Sequence, residues 1–407
     1  MRKEKFHYGW LICLCGVLLM MTNSGFVVNA FQVYMPYITE INGFSDLQVS
    51  MIPTLRNLFS ILAKVLTAVY FEKLGLRRGV TLATLLIAAA FLCYGLGTGS
   101  IVLYCIAASL AGLGYGLGAM IPISILVKNW FRDRSAFVLS ICASGSAIAT
   151  FICPITVTWM VEHISLAAAF LAEGAAVILV AVLIFLLVRN HPADLNMEPY
   201  TDASPKAAAK VRTVGTAPTR FWQLMMLLAC FMVGALGLAL PSFNTLYYKE
   251  LGMSSTLIAS SLTFSGIILL VGKWGYGIIN DAIGPHRTNI LFTGALLAGA
   301  VTGCMLDADS AVMLFLSTAL INTGLVVATV GISIWAANLS SEEGYVRTLR
   351  NYQVSYTIGG LLFSSVPGLL ADLTGSYYTT RLLAVALSLI VVFGVLGAYR
   401  SSDKQKS

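Results

Sequence analysis

Apolar runs of about twenty residues follow one another along almost the entire chain, and this succession limits the possible folds more than any other feature. A helix needs about 20 mostly apolar residues to cross a bilayer. The 407 residues contain twelve such runs, at roughly 10–30, 47–70, 80–97, 101–127, 136–161, 166–188, 222–243, 257–279, 289–306, 311–336, 352–371 and 382–399. Only 11% of the residues are charged, and the mean hydropathy of +0.84 is far above that of soluble proteins. We therefore predict an all-α integral membrane protein with twelve transmembrane helices.

The positive charges are distributed unevenly between the two sides of such a fold. Of the 25 Lys and Arg residues, 20 fall in the termini and in alternate connections that share one side, and only Lys249 and Arg381 fall on the other side. The positive-inside rule then predicts a multi-pass protein of a cell membrane, either a plasma membrane or a bacterial inner membrane, with both termini cytoplasmic. The net charge of +7 reflects this topology, and we expect no nucleic-acid partner. The first apolar run is too long for a signal-peptide core and is expected to remain as a helix.

Metal, cofactor and redox sites find little support in the sequence. All eight cysteines fall inside predicted spans without metal-type spacing, which favours buried free thiols. The glycine-rich run at 112–131 lacks the preceding strand and the acidic partner of a dinucleotide site, and small residues at this spacing instead allow helices to approach closely. No set of nucleophile, base or metal ligands converges, so we predict no metal, no cofactor and no enzymatic activity.

The chain contains an internal repeat. A shift of 209 positions places KVLTAVYFEKLGLRR, residues 64–78, over KWGYGIINDAIGPHR, residues 273–287, so that Lys64 meets Lys273. The same shift places the GFS at 43–45 over the GMS at 252–254. The longest polar connection lies between the two copies. We predict an N-terminal six-helix bundle at 1–188, a cytoplasmic linker at 189–220 and a C-terminal six-helix bundle at 221–407.

The repeated segment resembles the signature of the major facilitator superfamily, G-x-x-x-D-x-x-G-x-[KR]-[KR], which recurs between helices 8 and 9 of that family. The second copy matches through Gly277, Asp281, Gly284 and Arg287, whereas the first copy has Ala68 and Glu72 at the first two of these positions, followed by Gly75 and Arg78. The resemblance implies two pseudo-symmetric bundles that alternate access to a central site. An acid at a helix end beside a basic loop residue can latch two helix ends, so we assign gating roles to Glu72, Arg78, Asp281 and Arg287. A basic loop that serves only topology is the alternative.

A narrower resemblance covers nearly the whole chain. Several segments in the same order resemble the oxalate/formate antiporter family and its monocarboxylate-transporter relatives: YGW at 8–10, the glycine run at 112–131, RNHPADLNMEP after the sixth span, TRFWQL at 219–224, NYQVSY at 351–356 and PGLLADLTGSY at 367–377. In that family a cation in helix 8, four residues before the signature glycine, pairs with the substrate carboxylate. The resemblance assigns this role to Lys273.

One departure from the oxalate carriers bears on the substrate. Those carriers follow N-Y-x-x-x-Y in helix 11 with an Ala-Lys pair, whereas here Asn351, Tyr352 and Tyr356 are followed by Ile358 and Gly359. Span one also lacks the lysine expected of animal monocarboxylate carriers. The missing second cation disfavours oxalate and favours a monocarboxylate. Tyr352 and Tyr356 could donate hydroxyl hydrogen bonds to it, although aromatic residues in bundles commonly only pack.

Two further cations lie in span two. Arg56 and Lys64 are eight residues apart, or about 80° around a helix, so both can face one cavity. Either residue could bind substrate, or could instead pair with Glu173, with a backbone carbonyl or with a lipid headgroup. For Lys273 the alternative is likewise a structural partner. With Glu173 as the one clear acid inside a span, the interior is net positive, which favours anions.

The sequence thus predicts a secondary active transporter of a small organic anion, by preference a monocarboxylate. Its partners would be the carboxylate, protons or a counter-anion, and the lipid bilayer, and the chain is expected to be a monomer. Proton symport and anion exchange both remain open. The alternatives are a transporter-fold sensor that binds a carboxylate without moving it, and a carrier for another small solute such as a drug or a sugar.

Overall fold

The computed structural model describes residues 7–44, 46–201, 217–307, 310–364 and 366–404. These residues are predominantly helical. They belong to two compact units, Met1–Arg212 and Thr213–Ser407, which we call unit 1 and unit 2. Seven of the basic residues counted above for topology, and one residue of the repeated GFS segment, lie outside these ranges: Arg2, Lys3, Lys5, Lys206, Lys210, Arg212 and Lys406, and Ser45.

Unit 1 is built from long apolar helices whose α-helical geometry is interrupted at several places. Its helices are α1 (Gly9–Leu19), a π-helical segment (Met20–Ala30), α2 (Phe31–Asn42), α3 (Asp46–Leu96), α4 (Ile101–Gly118), α5 (Met120–Trp130), α6 (Ser135–His163) and α7 (Leu166–Leu187), with a short 3₁₀ helix at Pro192–Leu195. One interruption is the π-helical segment, which continues α1 directly into α2. Another is Ala119, whose non-helical backbone separates α4 from α5.

Unit 2 repeats this pattern. Its helices are α8 (Arg220–Gly234), a π-helical segment (Ala235–Ala239), a 3₁₀ helix (Leu240–Phe243), α9 (Asn244–Glu250), α10 (Ser255–Ile283), α11 (Pro285–Gly303), α12 (Ala311–Leu325), a 3₁₀ helix (Val326–Ala328), α13 (Gly331–Asn338), α14 (Tyr345–Leu362), α15 (Val366–Thr374) and α16 (Tyr378–Lys404). The 3₁₀ helix at Val326–Ala328 interrupts its span where Ala119 interrupts the equivalent span of unit 1.

The twelve predicted spans are all represented by helices. Ten helical stretches within the described ranges are long and apolar enough to cross a membrane. One of them, Met51–Leu96, has 46 residues, and at 1.5 Å per residue it would extend about 69 Å, which is twice the hydrocarbon core of a bilayer. Its backbone leaves helical geometry at Gly75, so it contains two spans. The remaining predicted span is α11, whose hydropathy is lowered by the polar start PHRTN.

Backbone geometry confirms the 209-residue repeat. Gly75 has φ 70° and ψ 165°, and its equivalent Gly284 has φ 85° and ψ 164°. Gly43 and its equivalent Gly252 also have positive φ, at 64° and 80°. A side chain is strained in this region of φ, so glycine recurs where each copy makes the same sharp turn. Each copy also contains a π-helical segment that includes the equivalent positions 26–30 and 235–239.

Surface composition agrees with a lipid environment. Large apolar side chains are exposed along the transmembrane helices of both units, including Ile178, Leu179 and Val182 on α7 and Ile278 on α10. Such extensive apolar exposure is unusual on a soluble monomer. All eight cysteines are free thiols, but the expectation that they are buried holds only for five, because Cys93, Cys105 and Cys304 are half-buried.

The chain that follows α7 packs against unit 1 as far as residue 201. Trp130 donates its indole N–H to the Arg189 carbonyl at 3.0 Å, and the Tyr200 N–H donates to the Trp130 carbonyl at 2.8 Å. The Asn190 side chain accepts a 2.8 Å hydrogen bond from the Arg77 N–H. The RNHPADLNMEP segment therefore joins the end of α7 to the turn at Gly75 and to the end of α5.

Candidate functional site

Two buried cations lie on α3 in unit 1. Arg56 is 9% exposed and Lys64 is 3% exposed. Tyr115, on α4, interacts with both of them. The Lys64 ammonium lies 4.8 Å from the centroid of the Tyr115 ring, and Arg56 interacts electrostatically with Tyr115 and Tyr94. The structure thus joins the two cations through an aromatic residue that sequence reasoning did not select.

The π-helical segment provides a partner for Arg56. One terminal nitrogen of the guanidinium, Nη1, donates a 2.8 Å hydrogen bond to the Val27 carbonyl, whereas Nε is buried without a hydrogen-bond partner in the described part of the chain. Arg56 therefore interacts with a backbone carbonyl, which was one of the alternatives to substrate binding. Pairing of Arg56 with Glu173, another alternative, is not observed. A donor that remains unsatisfied in a buried site is available to a ligand.

Glycines on α4 place Tyr115 close to these cations. A Cβ on Gly116 would lie 2.6 Å from the Ser60 carbonyl oxygen, and a Cβ on Gly112 would overlap the Arg56 carbonyl. Both contacts are with backbone, so only glycine permits this separation of α3 and α4. The predicted role of the glycine run in close helix packing is confirmed.

Unit 2 buries Lys273 at the position equivalent to Lys64. Lys273 lies on α10 and is 3% exposed. The neighbouring Gly272 faces the 3₁₀ interruption after α12, where its Cβ would lie 2.9 Å from Val326. A charged lysine at this depth in an apolar helix is costly, so its ammonium needs a partner, either a ligand or a protein group.

The aromatic pair predicted on α14 is also buried in unit 2. Tyr352 lies near Cys230 and Tyr399, and the Tyr356 hydroxyl lies beside Gly237 of the π-helical segment, 3.6 Å from the position of a Cβ there. Asn351 is half-buried, and its side-chain oxygen accepts hydrogen bonds from Arg350 at 3.2 and 3.3 Å. Within this trio, the two tyrosines are buried and Asn351 lies nearer the surface.

The missing second cation has a structural explanation in unit 2. Gly359 occupies the position of the lysine in the oxalate carriers, and a Cβ there would overlap the Phe231 carbonyl on α8. On the facing helix, a Cβ on Gly234 would overlap the Tyr356 carbonyl. α8 and α14 therefore touch through their backbones, and this contact leaves no room for a longer side chain at position 359.

The two signature motifs differ in their environments. Glu72 and Arg78 are both exposed in unit 1, whereas Asp281 is half-buried and Arg287 is exposed in unit 2. In unit 1 it is Arg77 that binds the neighbouring helix end. Its Nε donates to the Phe185 carbonyl at 2.6 Å, and its guanidinium lies 4.5 Å from the Phe185 ring centroid. The sequence could have indicated this residue through the adjacent pair of arginines.

Together, the repeat, the paired π-helical segments and the buried cations define a helical membrane transporter. A family model described as the Major Facilitator Superfamily matches residues 12–351. The chain belongs to this superfamily, and it is a transporter rather than an enzyme. The predicted family and fold class are confirmed.

Individual proteins that are similar to this chain are also transporters by name. Monocarboxylate transporter 12 of Mus musculus is 25% identical, with 98% of this chain and 87% of that protein covered. The agnestins efflux protein AgnL12 of Paecilomyces divaricatus is 24% identical over 88% of this chain and 78% of that protein. Among solved structures, the transporter FucP in the outward conformation has a TM-score of 0.67 at 17% identity, with 95% of this chain and 97% of that chain covered. At this identity the structural match establishes the fold alone.

Proposed function

We propose that this protein is a secondary carrier of a small monocarboxylate that works by alternating access. The observation that carries the proposal is the buried Lys273 in the middle of α10, at the repeat equivalent of Lys64. A buried ammonium pairs well with a carboxylate because both groups lose water and the pairing compensates that loss. The relatives named monocarboxylate transporter 12 support the same substrate class.

The charge balance inside the spans supports an anionic substrate. Arg56, Lys64 and Lys273 are buried cations, whereas Glu173 is the acid that the sequence analysis identified within the spans. An interior of this sign raises the local concentration of anions and disfavours cations. Neutral solutes such as sugars would gain hydrogen bonds but no charge pairing from this arrangement, so the charges favour an organic anion over the other solutes considered.

The contact between α8 and α14 supports a substrate that carries one carboxylate rather than two. The resemblance to oxalate carriers places the second cation of a dicarboxylate site at position 359, and here Gly359 is closed by the Phe231 backbone, so α14 supplies no such cation. Tyr352 and Tyr356 remain as hydroxyl donors for the rest of the substrate. We propose substrate-binding roles for Lys273, Arg56, Lys64, Tyr352 and Tyr356, with Asn351 as a more peripheral member.

Topology and coupling complete the proposal. Both termini and the connection 189–220 would be cytoplasmic in a cell membrane, as the charge distribution favours. Glu72, Arg78, Asp281 and Arg287 would lie at the cytoplasmic helix ends and control opening. The substrate would move with a proton or in exchange for a counter-anion, and the working form would be a monomer.

Counterflow in proteoliposomes tests the proposal. Purified protein is reconstituted with a high internal concentration of one unlabelled monocarboxylate, and uptake of the same labelled compound is followed with no pH difference. We expect transient accumulation with C2 to C4 monocarboxylates. Oxalate and a neutral hexose serve as control compounds, and neither should give counterflow. Counterflow with the hexose alone, or binding of monocarboxylates without counterflow, would overturn the proposal.

A further inference from the structure

Glu173 lies in unit 1 in surroundings that a charged carboxylate does not tolerate. It is on α7, is 9% exposed, and has both carboxyl oxygens buried. Neither oxygen has a hydrogen-bond partner in the described part of the chain. The polar groups beside it are the Tyr34 hydroxyl and the Cys153 thiol, which are neutral, and the Tyr34 hydroxyl is itself without a hydrogen-bond partner.

Within the described ranges, no cation is among the groups that act on Glu173, and a cluster of aromatic rings lies between it and the helix that carries Arg56. Phe170, one turn before Glu173, stacks on Tyr34 with ring centroids 4.1 Å apart and on Tyr94 of α3 at 5.2 Å. Arg56 interacts with Tyr94 and with the Val27 carbonyl. Tyr34 on α2, Cys153 on α6 and, beyond Phe170, Tyr94 on α3 are thus the titratable groups that face the acid from the helices packed around it.

A buried carboxylate that has no cation beside it and only a neutral hydroxyl and a neutral thiol as polar neighbours costs several kcal/mol. The group avoids this cost by remaining protonated. A protonated acid that is shielded from water in one state carries a proton across the membrane if another state exposes it. A route to water begins nearby, because Tyr37, one turn after Tyr34, donates a 3.3 Å hydrogen bond to the exposed Glu162. We propose that Glu173 is the proton-binding site that couples proton movement to transport.

This inference deepens the proposed function and rests on it in one respect, since coupling requires a transported substrate. It selects proton symport over exchange with a counter-anion. The proton enters from one aqueous side, resides on a Glu173 carboxyl oxygen while the acid is buried, and leaves on the other side together with the carboxylate substrate. Protonation and deprotonation of Glu173 are the only bond changes in this cycle.

Glu173→Gln provides the transport test, because the amide has the shape of the protonated acid and cannot release a proton. In wild-type proteoliposomes a pH difference of one unit, acidic outside, should drive about tenfold accumulation of a monocarboxylate if one proton accompanies each anion. Glu173→Gln should give no accumulation but should retain counterflow at equal pH. Glu173→Asp should retain accumulation, and Glu40→Gln, at an exposed acid on α2, should match the wild type. Wild-type accumulation by Glu173→Gln would overturn the inference.

Infrared spectroscopy tests the protonation itself without transport. Wild-type protein in detergent at pH 7 should show the C=O stretch of a protonated carboxylic acid, and Glu173→Gln should lack it. A wild-type spectrum with carboxylate bands only would overturn the inference, even if the variant does not fold. If the wild type shows this band but no counterflow, the proposed function fails while the proton site stands. If counterflow occurs but Glu173→Gln still accumulates substrate, the proton site fails while the carrier stands.

Discussion

Replacing Gly359 by alanine should weaken unit 2, because the methyl group would meet backbone rather than a movable side chain. The new Cβ would overlap the Phe231 carbonyl oxygen and lie 2.7 Å from its carbonyl carbon and 3.0 Å from its Cα. α8 and α14 must therefore separate. Overpacking of this kind costs about 1–3 kcal/mol. Alanine in a helix recovers about 0.5–1 kcal/mol relative to glycine, which leaves a net loss of about 0–2.5 kcal/mol in the free energy of unfolding. We expect the upper part of this range, because the overlap is with the backbone of a facing helix.

Gly275→Ala is the matched control. Gly275 lies on α10 and a Cβ there meets nothing within 4 Å, so this variant gains helix propensity without overlap. Thermal unfolding of detergent-purified protein, followed by intrinsic fluorescence, should place Gly359→Ala several degrees below the wild type and Gly275→Ala at or above it, since about 1 kcal/mol moves Tm by about 2–4 °C in a unit of this size. A Gly359→Ala variant that melts at or above Gly275→Ala would refute the close contact. Gly359→Lys should be less stable still, and it should not gain oxalate transport.

Three further predictions concern stability, gating and topology. Arg56→Met should lower the free energy of unfolding by about 1.5–3 kcal/mol, because the charged hydrogen bond to the Val27 carbonyl is lost, and Arg56→Lys should fall between it and the wild type in a melting assay. Asp281→Asn should change the rate of counterflow more than the substrate Kd, and an unchanged rate with a large loss of affinity would instead place Asp281 in the binding site. A cysteine at the exposed Thr201 should react with an impermeant maleimide only after intact cells are opened, whereas one at the exposed Lys249 should react from outside; the reverse pattern would contradict the topology.

The helices and the repeat could be predicted because run length and motif spacing encode them directly. A run of about 20 apolar residues has few stable alternatives in a bilayer. The turn glycines Gly75 and Gly284 are likewise visible, because their backbone conformation excludes other residues.

The interior arrangement was harder to predict, because apolar residues face both lipid and protein in a membrane. Hydrophobicity therefore does not distinguish Ile178, which is exposed, from Val177, which is buried. The π-helical segment at Met20–Ala30 has no local signal either, since its residues are compatible with an α-helix. Without that segment, the Arg56 bond to the Val27 carbonyl does not follow from the sequence.

Substrate binding by Lys273→Ala tests the central claim most directly. If the Lys273 ammonium pairs with the substrate carboxylate, its removal leaves a desolvated anion without a partner, at a cost of about 3 kcal/mol or more. For purified, monodisperse protein the account predicts a Kd for a monocarboxylate at least about a hundredfold above that of the wild type, with partial binding retained in Lys273→Arg. A wild-type Kd in monodisperse Lys273→Ala would contradict the account and leave Lys273 with a structural role.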